Sequence, residues 1–186
     1  MVKNFSLLFL IIFGFICTFT GIAQATTAVA PHWQKSPIDV YIPQNSRKTS
    51  MQHAFERWQS KSYGKLKFNF VNNGPADIDV VFTDKVDGSD TPIASYKVTI
   101  QGQEIIKAEI QIASQGEAIK KYSNDYVFTT MLHEVGHALG LSDTNRKQSS
   151  IMYMPLDEKQ ELMKIDMMKL YNLNNWSYLD RRSNTP

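Results

Sequence analysis

The stretch His133-Glu134-Val135-Gly136-His137-Ala138-Leu139-Gly140-Leu141-Ser142-Asp143 decides how the rest of the chain is read. Its first five residues set two imidazoles at i and i+4, a spacing that stacks side chains on one face of an α-helix. Two ring nitrogens can therefore reach one metal ion. A zinc ion with three protein ligands keeps its fourth position for water, and Glu134, next to the first imidazole, is placed to take that water's proton as general base. Hydrolysis is the chemistry this spacing points to, although two histidines four apart also occur as plain core or surface residues of a helix.

The continuation narrows the choice. Gly140 falls where a helix ends on a left-handed residue, so the chain turns there and can carry position 143 back toward the metal. The pattern HExxHxxGxx followed by a ligand resembles that of the metzincin metalloproteases. The family usually has His at the third ligand position, and here it is Asp143, as in secreted bacterial metzincins similar to snapalysin. A carboxylate oxygen binds zinc at about 2.0–2.2 Å, close to the imidazole distance, so Asp143 is competent as third ligand. An anionic ligand lowers the net charge on the metal and leaves its water less acidic. The plainer role for Asp143 is to open the Ser142-Asp143-Thr144-Asn145 turn, where Asp is common anyway.

The 186 residues, 42% of them hydrophobic, suffice for one domain with a proper core. A net charge of +2 with no basic cluster gives no reason to expect a nucleic-acid partner. Near the N-terminus, Lys3 precedes an apolar run from Phe5 to Ile22, and Ala23-Gln24-Ala25 supplies the small-x-small pattern of a signal-peptidase site. Residues 1–25 are therefore expected to be a signal peptide, and 26–186 a single catalytic domain with an upper part of about 31–140 and a lower part of about 141–180. The protein is expected to be secreted, or associated with the cell envelope, and monomeric; it would sit on a membrane only if the apolar run stayed uncleaved. Cys17, the one cysteine, lies inside that run, so the mature chain would have no thiol for disulfides or for self-inhibition through a metal-bound cysteine. His32 is the one metal-binding side chain expected between Thr26 and His32.

Further along, Ile38 to Ile42 alternates as a first strand. Met51, Phe55 and Trp58 then recur at helical spacing, with His53 off the stripe and facing solvent. Lys65 to Val71 and Ala76 to Thr83 read as two more strands, separated by the Asn72-Asn73-Gly74-Pro75 turn. Ala94 to Ile100 and Ile105 to Ala113 follow as a hairpin about Gln101-Gly102-Gln103. Ser123 or Asn124 caps a helix expected from about Asp125 to Leu139, buried through Val127, Met131, Leu132, Val135, Ala138 and Leu139. A last helix is expected over Leu162 to Leu173, with Ile165, Met168, Leu170 and Tyr171 as its apolar face.

From about Trp33 to Tyr171 this order resembles the matrixin branch of the metzincins. The resemblance implies an α+β metzincin-type zincin fold: a twisted mixed five-stranded sheet with an active-site helix, a backing helix and a C-terminal helix. It implies a catalytic zinc ion held by His133, His137 and Asp143, with Glu134 as base. Met152, in Ser150-Ile151-Met152-Tyr153, takes the place of the methionine turn beneath the metal, although Met also fills gaps in any core. Met154 stands where matrixins have proline directly after Met-Tyr. The edge strand Ser95, Tyr96, Lys97, Val98, Thr99 and Ile100 takes the place where an extended polypeptide substrate pairs, although edge strands also occur without a partner. The long loop of the vertebrate members carries histidine, and this one has none, so a second zinc is not expected. Calcium could use Asp84, Asp87 and Asp90, which in a turn-rich loop commonly face solvent.

The function expected is that of a secreted zinc-dependent endopeptidase. Two alternatives remain open at this point: a secreted, non-catalytic peptide-binding domain that keeps the fold, against which the intact Glu134 argues, and a zinc hydrolase of some non-peptide amide.

Overall fold

A computed structural model describes residues 30–86, 93–145 and 149–177. The apolar run, its cleavage site, Asp87 and Asp90 lie outside these residues. Among the described residues no helix is long and apolar enough to cross a membrane.

The alternating stretches become five strands, β1 (Ile38–Tyr41), β2 (Phe68–Val71), β3 (Ile78–Thr83), β4 (Ala94–Gln101) and β5 (Glu104–Ala113). They form one sheet in the order β2-β1-β3-β5-β4, parallel throughout except that β4 runs antiparallel to β5. Parallel neighbours need a crossover, and helix α1 (Lys48–Lys61) supplies it between β1 and β2. The expected stripe of Met51, Phe55 and Trp58 is buried with Ala54, and His53 faces solvent. Phe55 meets the rings of Phe68 and Phe70 edge-on at 5.0 and 6.2 Å, which fastens α1 to the outer strand.

β2 starts three residues later than the alternation from Lys65 suggests, because a turn takes those residues. Lys65 N–H donates to Ser62 O at 3.2 Å, and Leu66 N–H to Ser62 Oγ at 2.9 Å. The β4–β5 hairpin turns as expected, with φ +64° at Gly102, a conformation that glycine enters without steric penalty. A one-turn helix, α2 (Glu117–Lys120), has no counterpart among the elements expected from the sequence.

Helix α3 (Asn124–Ala138) is capped by Ser123, whose Oγ accepts the Tyr126 N–H at 3.1 Å. It is buried on every side from Thr129 to Ala138 because α1 packs against it and β4 and β5 contact it as well. The Trp58 indole spans this contact, donating to Leu132 O at 2.9 Å.

Helix α4 (Lys164–Leu173) corrects the expected apolar face. It buries Asp166, Met167, Leu170 and Tyr171, while Ile165 is half-buried and Met168 is 40% exposed. The inward position of Asp166 sets this rotation: its carboxylate accepts from Ser150 Oγ at 2.5 Å and from the Ile151 and Met163 N–H groups at 3.1 and 2.9 Å. Bonded to that many donors, a carboxylate can be buried, and apolar periodicity alone does not register it.

Candidate metal centre

Helix α3 places both imidazoles, and its termination directs the chain toward the third donor. Gly140 has φ +94°, its N–H donates to His137 O at 2.8 Å, and the Leu141 N–H donates to Gly136 O at 3.0 Å. These paired bonds are a Schellman termination, which favours a residue without Cβ. Space demands the same residue, since a Cβ at 140 would lie 2.7 Å from Pro31 O. The reversal brings Leu141 O back to accept from His137 Nδ1 at 2.9 Å and carries the chain on to Asp143.

His133 is held alike by a more distant segment: Ile151 O accepts from its Nδ1 at 2.8 Å. A carbonyl oxygen only accepts, so each Nδ1 carries the proton and each Nε2 presents a lone pair. The two Nε2 atoms are 2.9 Å apart, and each is 3.2 Å from Asp143 Oδ1. Three donors at about 2.0–2.2 Å from one ion, at tetrahedral angles, stand roughly 3.3–3.6 Å apart, so this triangle is ion-sized to within a few tenths of an ångström.

A hydrogen bond between the two rings would need one of them to be cationic, and burial opposes that. It lowers the pKa of His133, and together with the neighbouring ring it pushes His137 down to about 4. Lone pairs converging with no proton among them are the donor set of a cation. Among the described residues this is the one group of three His, Cys, Asp or Glu side chains close enough to hold a metal ion.

Glu134 is 3% exposed, and its Oε2 is buried with no hydrogen-bond partner. Burial first, then the charge of Asp143, pushes its pKa up to about 8. A cation beside it would act in the opposite direction. A water kept by a three-ligand zinc would supply the donor that this orphaned oxygen lacks, so the residues present fit such an ion.

Met152 is fully buried against α3, where a Cβ at Gly136 would collide with its Sδ and lie 3.0 Å from Trp58 Cζ2. The methionine thus packs on the helix between the two histidines. Thr144 N–H donates to Met152 O at 2.7 Å and Met154 N–H to Thr144 O at 3.3 Å, which ties the segment after Asp143 to this turn. Met154 lines an open groove of about 710 Å³ with Ser142, Asp143, Thr144, Asn145 and Lys169.

β4 is the sheet edge on this side, and Tyr96 lies flat on His137, ring centroids 4.0 Å apart and planes 11° apart. Burial, then the charges of Asp143 and Glu134, raise the Tyr96 pKa, so its hydroxyl stays protonated. Of the expected edge residues, Tyr96, Lys97, Thr99 and Ile100 are exposed and Ser95 and Val98 half-buried. Asp84 accepts from Gln115 Nε2 at an exposed site, and its two companions in the calcium expectation are not among the described residues. His32 is tied instead to the start of β5, pairing with Gln103 and Ile105 through its backbone.

Sheet, helix and turn in this arrangement define a zincin of the metzincin type. The chain belongs to the matrixin family, whose model matches residues 32–173. Among curated proteins none matches the chain. Matrixin membership implies zinc as the metal and points to a metallopeptidase.

Sequence reasoning did not single out Gly136 or Asp166, and it placed Tyr96 only as an edge-strand residue. A glycine inside an otherwise good helix former is the signal available for Gly136, since it marks a close approach. Asp166 amid apolar neighbours carries a fainter one.

Proposed function

We propose that the protein is a secreted zinc-dependent endopeptidase. The observation that carries this reading is the triangle of His133, His137 and Asp143 donors beside a buried glutamate oxygen with no partner. When bound, zinc supplies a Lewis-acid centre that acidifies water and polarises a carbonyl. His133, His137 and Asp143 would hold it, the imidazoles kept in the ligating tautomer by Ile151 O and Leu141 O. Glu134 Oε2 takes the proton of the attacking water and delivers it to the departing amine nitrogen, which balances the cleavage of one peptide bond by one water.

The outer edge of β4, which no strand covers among the described residues, offers N–H and C=O groups to an extended chain. Tyr96 marks how near that edge runs to His137. Export rests on the apolar run from Phe5 to Ile22 and the Ala23-Gln24-Ala25 site. The test is metal analysis of the purified chain beside cleavage of casein with and without a chelator. One bound zinc per chain and chelator-sensitive cleavage are expected. A zinc-loaded chain that leaves casein and other unstructured polypeptides intact would sink the peptidase reading.

A further inference from the structure

Tyr96 belongs to the edge strand, yet its ring is given over to a histidine of the metal centre. The strand is fixed by pairing with β5, where Tyr96 sits opposite the fully buried Ile110. From that base the phenol ring lies 4.0 Å from the His137 ring at 11°. His137 is 4% exposed while Tyr96 is 42% exposed, so the tyrosine takes the solvent that would otherwise reach the imidazole.

The two histidines are restrained differently. Each Nδ1 is fixed by a carbonyl lying 2.8 or 2.9 Å away, but one such bond leaves a ring free to tilt about the N–H···O line. The edge-to-face contact between the two rings, centroids 4.5 Å apart, limits that tilt for both, and for His133, 3% exposed, burial blocks what remains. For His137 the stacked face of Tyr96 does so. We infer that Tyr96 is a positioning residue of the metal centre: its ring covers the face of His137 and keeps Nε2 aimed at the point shared with His133 and Asp143.

This role rests on the metal-centre reading and belongs to the ring, not to the hydroxyl. The experiment loads wild type, Tyr96→Ala and Tyr96→Phe with zinc and measures its release to a colorimetric chelator. The melting temperatures of the metal-free proteins are compared in parallel. Tyr96→Ala should release zinc about tenfold faster, in line with the usual worth of an aromatic contact and of groups that orient metal ligands. Tyr96→Phe should stay within about twofold of wild type, because the stacked ring survives. The metal-free Tyr96→Ala protein should melt close to wild type, which separates positioning from general loosening. Equal release from all three proteins overturns the inference, as does a Phe variant as fast as the Ala variant, which would move the role to the hydroxyl. A wild-type chain that takes up no zinc overturns the metal-centre reading and this inference together.

Discussion

Asp166 reaches His133 through a single residue: the Ile151 N–H donates to Asp166 Oδ2 at 3.1 Å, and Ile151 O accepts from His133 Nδ1 at 2.8 Å. A fully buried carboxylate on the last helix thereby fixes the turn that fixes a candidate ligand. Such an arrangement couples the stability of the lower part of the chain to the aim of one imidazole.

Removing this carboxylate should therefore be felt twice. Asp166→Ala strands two buried donors, on Ser150 and Ile151, removes the partner of the Met163 N–H, and should destabilise by roughly 3 kcal/mol. The same change should weaken zinc binding by about 10- to 100-fold, the usual effect of losing a group that orients a ligand. Urea midpoints and zinc competition measure the two effects. Loss of stability with zinc affinity intact would show that the Ile151 turn holds its place without Asp166.

Glu134→Ala should keep the zinc and lose peptidase activity by about 10²- to 10⁴-fold, the range of general acid–base catalysis. Steady-state cleavage of a quenched-fluorescence peptide by zinc-loaded protein is the measurement. Turnover near wild type would remove Glu134 from the mechanism.

For Asp143 the decisive pair is Ala and His. Asp143→Ala should lose most of the zinc affinity, because it removes one corner of the donor triangle. Asp143→His should retain metal and move the alkaline-going rise of activity to lower pH, since a neutral ligand leaves the bound water more acidic. An Ala variant with full zinc content would reduce Asp143 to a turn residue.

Gly136→Ala drives a methyl group into Met152 Sδ and against Trp58, and overpacking of this kind should destabilise by about 1–3 kcal/mol. Trimming the neighbour should compensate in part, so Met152→Ala in the Gly136→Ala background should cost less than Met152→Ala in wild type. A double-mutant cycle with additive effects would mean that the two residues do not share this space.

The metal-free protein should lose stability toward both acid and alkaline pH. Burial holds His133 and His137 below their ordinary value of 6.5, His137 at about 4, so their contribution is complete above 6.5 and is lost as pH falls toward 4. Glu134 is shifted the other way, from 4.5 to about 8, so its contribution is complete below 4.5 and is lost as pH rises toward 8. Urea midpoints in chelator across pH 4–9 test both limbs. Glu134→Gln should flatten the alkaline limb and leave the acid limb in place; an unchanged alkaline limb would show that another group produces it.

Much of this protein is local in origin. Two histidines at i and i+4 on a helix share a face whatever surrounds them, so the His133–His137 pair could be read directly. The stop at Gly140 comes from the conformations open to a residue without Cβ, and the strands and the Met51-Phe55-Trp58 stripe come from periods of two and 3.6 residues. Local periodicity has no term for what a side chain meets across the fold. It placed Met168 inside and passed over Asp166, because a buried carboxylate is decided by donors on Ser150 and Ile151 rather than by its helical neighbours. It treated Tyr96 as one residue of an edge, because only the sheet order brings β4 against α3 and lays that ring on His137. The close approach that requires Gly136 likewise exists only once Met152 and Trp58 have converged on one turn of helix. Such contacts join segments far apart in sequence, and their geometry is set by how the core packs, which no short stretch of residues encodes.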